Sequence, residues 1–304
     1  MCHWCSEEGD TTVVCEGDWV KIDLAVHIDG YIASVAATLI CPPADATPAA
    51  SVTGKGADVL AACACAAELL PRLVRPGLKS SAIPVALAAV AEAFGVSVVE
   101  GVLMHQVKRF VIDGNQVVCA RPSPELKAAD FEFQANDVFV LDACFSGGEG
   151  KPKQVDERQT AVYKRALDKK YSLKMKAARA VFGDISQRFS VLPFSGRALG
   201  EGSEGGGARV KLGLVECLKN ELLHSYPVLW EKPGDCVAHL KQTVLIMPNG
   251  PDPVTGAAAP AHASDKRLLD EALLLLLQQP LKASKKAAKK AAKAAGSEPV
   301  AMEA

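Results

Sequence analysis

One strand pattern occurs twice in this chain. Asp18-Trp-Val-Lys-Ile-Asp23 and Asp137-Val-Phe-Val-Leu-Asp142 share the form D-x-[VF]-x-[IL]-D. Each opens on a turn acid, alternates as a β-strand does, and ends on an inward-pointing acid. Two copies of one strand, each delivering a carboxylate, predict a duplicated α+β fold with a site between its halves. Chance agreement of two short β segments is the competing reading.

The segments around the two copies fit the duplicated plan. Residues 13–40 read as paired strands with a turn at Asp29-Gly30. Residues 57–74 read as helix, bounded by Gly56 and by Pro76-Gly77, and residues 83–94 as a second helix. Strand and loop character returns over 96–118, around His105, and 137–143 is a buried strand leading to a Gly-rich turn at 147–150. From 163 to 223 the pattern is largely helical, broken by a Gly/Ser/Glu loop at 200–207. Strands resume over 235–247, a Pro/Ala/Gly-rich linker spans 248–263, and 265–277 reads as a short apolar helix. The expected organisation is one domain over 1–262 with 163–223 as an insertion, a C-terminal helix over 263–280, and a disordered Lys/Ala-rich tail over 281–304.

Hydrophobic residues make up 49% of the chain, enough for a large core. No apolar run reaches membrane-spanning length and no basic-then-apolar leader opens the chain, so a soluble intracellular protein is expected. Cysteines such as Cys63, Cys65, Cys144 and Cys217 lie in apolar segments, which favours buried free thiols over a disulfide framework. Cys2 and Cys5 form a CxxC with only His3 nearby, too few ligands for structural zinc. The net charge of −1 hides an asymmetry. Six lysines, Lys282, Lys285, Lys286, Lys289, Lys290 and Lys293, carry no acid among them, and removing six charges leaves about −7 for the remainder. An acidic body with a basic tail points to an acidic polymer or surface as partner.

The segment Lys21-Ile-Asp-Leu-Ala-Val-His-Ile-Asp-Gly-Tyr-Ile-Ala-Ser34 resembles the first metal-ligand hairpin of the methionine aminopeptidases. It is more similar still to their non-peptidase relatives, the proliferation-associated, ErbB-receptor-binding proteins. Agreement continues through Glu100 to Lys108, Val111 to Gly114, Ser146 to Lys151, Tyr163 to Arg165, Leu173 to Lys176, Val215 to Cys217 and Leu245 to Pro251. The resemblance implies the pseudo-symmetric, creatinase/aminopeptidase-like "pita-bread" α+β fold with a helical insertion. It also implies a longer stretch before residue 1, including an opening helical pair. Without that pair the first half of the fold is expected to be incomplete and to expose apolar surface.

The peptidases hold two metals on five ligands, two of which are carboxylates bridging both ions and offsetting their mutual repulsion. The resemblance carries those five positions onto Asp23, Ser34, His105, Asp142 and Lys241. Asp23 and His105 keep the ligand type, and Asp142 replaces a glutamate. Ser34 and Lys241 replace the two bridging carboxylates. An ammonium has no lone pair to give and repels a cation at close range. Two carboxylates against one ammonium leave a formal charge of −1. The expectation is therefore no metal, no cofactor and no peptidase activity, with Lys241 ion-paired to Asp142 or Asp23. A lone cation held weakly by Asp23, His105 and Asp142 is the alternative. His3 matches a substrate-contacting histidine of the peptidases and is expected only to pack or lie at the surface.

Partner chemistry rests on two basic segments. Lys164, Arg165, Lys169, Lys170, Lys174, Lys176 and Arg179 stand against one acid, Asp168, with Tyr163 and Tyr171 interleaved. Charges of one sign repel, so such a surface suits a phosphate partner, structured RNA or the ribosome; a solvated face is the alternative. Lys285, Lys286, Lys289, Lys290 and Lys293 in the tail suit a nuclear or nucleolar signal and non-specific rRNA contact. Leu273, Leu276 and Leu277 satisfy an LxxLL docking pattern, which a pure leucine run meets trivially; packing on the domain is expected. These readings sum to a non-catalytic RNA- or ribosome-binding protein acting in translation, ribosome biogenesis or growth, in cytoplasm and nucleolus. An interaction adaptor or transcriptional corepressor is the alternative, and an active methionine aminopeptidase a third.

Overall fold

The computed structural model describes residues 3–6, 10–43, 51–157, 160–200 and 206–282. β1 (Trp19–Ile28) and β2 (Tyr31–Ile40) form an antiparallel hairpin in which Ile28 pairs with Tyr31 and Trp19 with Ile40. The turn residues Asp29 and Gly30 both have positive φ, 51° and 83°, the backbone that a two-residue hairpin requires. The hairpin starts six residues later than the alternation at Val13 suggested, because Gly17 turns the chain at φ 82° and its N–H bonds the Cys41 carbonyl at 2.9 Å.

Two helices follow, α1 (Gly54–Leu73) and α2 (Ala82–Phe94). Next come β3 (Ser97–Val98), β4 (Leu103–Val107), β5 (Val117–Cys119) and the long β6 (Val138–Ser146). After residue 230 the chain re-enters the sheet as β12 (Val237–Met247) and β13 (Gly250–Pro253). The eight-stranded sheet runs β1-β2-β12-β6-β4-β5, with β13 on β12 and β3 on β6. β1 and β6, the two copies of the repeated pattern, thus lie on either side of β2 and β12.

α1 packs on β6 and β12, and α2 packs on α1. Ala62 and Ala66 of α1 are fully buried, their small side chains bringing the helix close to Leu141, Phe139 and Val244 in one core cluster. The helices stop at β12. Beyond it, β1 and β2 present Val20, Ile22, Leu24, Val26 and Ile28 beside Leu39, Ala37, Val35, Ala33 and Tyr31, an all-apolar row with no helix of the described residues above it. Ile28 is 82% exposed and Val26 58%.

Between β6 and β12 lie β7 (Lys153–Gln154), β8 (Val162–Arg165), α3 (Lys176–Arg188), β9 (Phe194–Ser195), α4 (Arg197–Gly200), α5 (Gly206–Lys219), β10 (Leu223–Tyr226) and β11 (Leu229–Trp230). This stretch is not simply helical. A three-stranded sheet, β10-β8-β9, frames the helices, and Ile185, Phe194, Cys217 and Leu222 anchor a second core cluster. Its strands are two to four residues long and pair across the helices, so no local periodicity announces them.

Two further expectations need correction. The linker over 248–263 contains β13, which turns back on β12 so that Ile246 pairs with Pro251 and Val244 with Pro253. Prolines lack the N–H a central strand needs, but β13 is an edge. The C-terminal helix is α6 (Glu271–Gln278), shorter than 263–280, and it starts where Asp270 accepts a hydrogen bond from the Leu273 N–H at 3.0 Å. Leu273, Leu276 and Leu277 are partly buried against the main core cluster, while Leu275 is 61% exposed. Cys63, Cys119, Cys144 and Cys217 are buried free thiols. Among the described residues no helix is long and apolar enough to cross a membrane. Cys2 and the tail lysines Lys285, Lys286, Lys289, Lys290 and Lys293 lie outside the described residues.

Candidate functional site

Antiparallel register sets four residues in one row across the sheet. Asp23 of β1 faces Ala36 of β2, Ala36 faces Lys241 of β12, and Lys241 faces Asp142 of β6. Directly opposed residues project to the same face, so both carboxylates and the ammonium converge. Lys241 Nζ lies 2.5 Å from Asp23 Oδ2 and 3.3 Å from Asp142 Oδ2. Ala36, 3% exposed, is the spacer that lets the lysine chain pass over β2 to reach Asp23.

The row is extended by a residue that the family comparison of ligand positions passes over. His239, two residues before Lys241 and so on the same face, places Nε2 2.9 Å from Asp142 Oδ1. His239 and Asp142 are both almost wholly buried. Period-two alternation counted back from Lys241 was the signal that would have found it.

Charge follows from this geometry. Burial alone would raise the Asp142 carboxyl, but His239 and then Lys241 outweigh it and hold its pKa down at about 2. Burial works against the Lys241 charge too, and Asp142 and Asp23 more than offset it, raising its pKa above the ordinary lysine value. Burial would also keep His239 neutral; the adjoining Cys144 sulfur and Asp142 carboxylate shift it the other way, above the ordinary histidine value. With His239 shifted toward its charged form beside Asp142, the cluster is closer to charge balance than the −1 counted without it.

Ser34 stands apart from this network. Its backbone N–H donates to Thr243 Oγ1 at 2.8 Å, and its carbonyl accepts from Thr243 Oγ1 at 3.0 Å and Thr255 Oγ1 at 2.6 Å. Four residues along, Thr38 repeats the device on His239: its Oγ1 accepts from the His239 N–H at 2.7 Å and donates to the His239 carbonyl at 3.4 Å. The β2–β12 ladder is thus two pairs long, wedged at each end by a threonine hydroxyl.

His105 reaches the same face from β4, opposite Val140. Burial lowers its pKa, with Asp142 pulling the other way, and its buried Nδ1 has no hydrogen-bond partner. The His3 ring lies 4.9 Å from that of Tyr226; burial, then Lys241, lowers its pKa. Burial pushes the Tyr226 hydroxyl up to about 12.

The donor set does not fit a dinuclear metal centre. Both oxygens of Asp142 are engaged by cations and Asp23 is engaged by Lys241. The ammonium lies between the carboxylates that would have to share the ions, and Ser34 offers a neutral hydroxyl. Asp142, Cys144 and His239 bring three ligand-type atoms within 4.8 Å of one another, but this group is buried and already internally paired.

The basic segment is less uniform than its composition. Lys164 and Arg165 lie on β8, not on a helix, and Lys164 pairs with Asp113 of the main domain. Lys169 pairs with Glu221 at 2.8 Å. Arg179 donates to the Leu173 and Lys174 carbonyls, closing the approach to α3. Lys170, Lys174 and Lys176 remain exposed.

Fold and site together define a pita-bread chain of the aminopeptidase class in which an internal salt bridge joins Asp23, Lys241 and Asp142 across the sheet. The sequence pattern of metallopeptidase family M24 matches residues 1–163, and the chain belongs to that family. Among its relatives is "ERBB-3 binding protein 1" of Solanum tuberosum, 51% identical over 85% of this chain; the chain spans 64% of that relative's length. "Curved DNA-binding protein" of Schizosaccharomyces pombe is 34% identical over 88% of this chain and 68% of its own. A solved structure of a thermophilic Arx1 superposes with TM-score 0.80 at 26% identity, covering 89% of this chain and 76% of that one.

Proposed function

We propose that this chain is a non-catalytic RNA- and ribosome-binding protein on a methionine-aminopeptidase scaffold, acting in translation, ribosome biogenesis or growth in the cytoplasm and nucleolus. The observation that carries the non-catalytic part is the Lys241 ammonium held between Asp23 and Asp142. A cation fixed at that point repels the dications a two-metal hydrolysis needs. Nucleic-acid binding is supported by exposed Lys170, Lys174 and Lys176, by the tail lysines, and by the similarity to a fission-yeast relative named as a DNA-binding protein.

Sedimentation with purified ribosomes at graded salt tests this reading. Association that weakens as salt rises is expected, together with a shallower salt dependence when Lys170, Lys174 and Lys176 are changed to Glu. Chelator-sensitive release of methionine from peptides by the same preparation would overturn it. The adaptor reading draws on one observation of its own, the uncovered apolar face of β1 and β2, and on a relative named for binding ERBB-3. It expects no ribosome association at any salt.

A further inference from the structure

Two tight turns meet tip to tip at the solvent end of the β1–β2 hairpin. One is Asp29-Gly30 of the β1–β2 hairpin. The other is Arg109-Phe110, closed by reciprocal backbone bonds between Lys108 and Val111 at 2.9 and 2.8 Å. They are locked together. The Phe110 N–H donates to the Gly30 carbonyl at 2.8 Å, and Arg109 Nε donates to the Asp29 carbonyl at 2.9 Å while its Nη2 pairs with the Asp29 carboxylate. The Phe110 ring lies so close over Gly30 that a Cβ there would come within 2.5 Å of it. Phe110 itself holds a φ of 60°, a left-handed backbone unfavourable for a residue with a side chain.

This construction holds aromatic rings in water. Tyr31 is 67% exposed and Phe110 40%, and the Arg109 guanidinium lies 5.5 Å from the centroid of each. Exposed rings on a rigid support, with a planar cation between them, are what unpaired bases stack on; every base offers a π-face, and nearby charge draws the phosphates. One ion pair also links the turn region to the insertion. Asp113, in the loop that follows Phe110, pairs with Lys164 of β8 and so ties this tip to the start of the lysine-rich stretch.

We propose that Tyr31 and Phe110, with Arg109 and Lys108, form a stacking platform for unpaired bases of single-stranded RNA. The inference rests on the RNA-binding reading above and adds where the bases go and which form of RNA is preferred.

The test is fluorescence-anisotropy binding of a labelled single-stranded RNA and of a duplex of the same length, with the full chain. The wild type should favour the single strand. Tyr31→Leu keeps apolar bulk but removes the π-face, and should weaken single-strand binding about fivefold or more, with duplex binding and salt slope unchanged. Tyr31→Phe should bind as the wild type. Phe110→Leu should match Tyr31→Leu, and because Tyr31 is so exposed, Tyr31→Leu decides the matter should Phe110→Leu lower the melting temperature. Equal affinity of Tyr31→Leu and wild type for the single strand, with binding still weakened by changing Lys170, Lys174 and Lys176 to Glu, would overturn the platform alone and leave the tip to a protein partner. Failure of the wild type to bind either RNA would overturn the RNA-binding reading and the platform with it.

Discussion

At the scale of single residues, Lys241 decides the character of the site. Removing one member of a buried ion pair costs more than the pair is worth, because its partner is left charged and desolvated. Lys241→Met, which keeps the length of the chain and loses the charge, leaves Asp142, 5% exposed, with His239 as its remaining partner on one oxygen and the other oxygen unpaired, and should destabilise the fold by about 1–3 kcal/mol. The same argument has a pH signature. Asp142 titrates at about 2 in the folded chain against 3.8 ordinarily. A depressed carboxylate contributes stability that is present above 3.8 and lost as pH falls through about 2. Its share is about 2 kcal/mol, so urea midpoints should fall across the window from about pH 4 to pH 2, and fall less in Lys241→Met. Equal stability of the variant and the wild type at neutral pH would refute the pairing.

At the scale of elements, the strands carry the site because their register does. The repeated D-x-[VF]-x-[IL]-D pattern was legible as two strands ending in acids, and β1 and β6 do carry Asp23 and Asp142 to one face. His239 was legible too, two residues from Lys241, although ligand-by-ligand comparison with the peptidases passed over it. Other features were not. Ala36 as a spacer depends on which residue of β2 lies between Asp23 and Lys241, a long-range register that no local signal encodes. The same holds for the threonine wedges, because Thr38 meets His239, and Thr243 meets Ser34, across about two hundred residues of chain. Short strands such as β9 and β13 escape for a related reason: two to four residues show no period, and Pro251 and Pro253 argued against a strand until β13 proved to be an edge. The wedges can be tested directly. Thr38→Val removes the hydroxyl that satisfies the buried His239 N–H and should cost about 1–3 kcal/mol, as should Thr243→Val at Ser34. Thr38→Ser and Thr243→Ser should restore most of the loss in urea denaturation, and an equally large loss in the serine variants would assign the effect to the missing methyl instead.

At the scale of the whole molecule, one sheet face is covered at one end and bare at the other. α1 and α2 shield β6 and β12, while the ten apolar side chains of β1 and β2 continue the same face into solvent, with β1 as an edge strand. Contiguous apolar surface of this kind, next to unpaired backbone groups, drives association. The chain 1–304 should therefore bind a hydrophobic dye and show a sedimentation coefficient that rises with protein concentration. Leu24→Thr combined with Val26→Thr keeps β-branched strand formers on the hairpin while breaking the apolar row. Both side chains are more than half exposed, so the pair should change stability by no more than about 0.5 kcal/mol per site, yet reduce dye binding and flatten the concentration dependence. A loss of several kcal/mol would mean that these side chains are buried in the folded protein, and unchanged sedimentation would place the sticky surface elsewhere. Either result would bear on how the platform at Tyr31 is presented, because Tyr31 closes this same row at its solvent end.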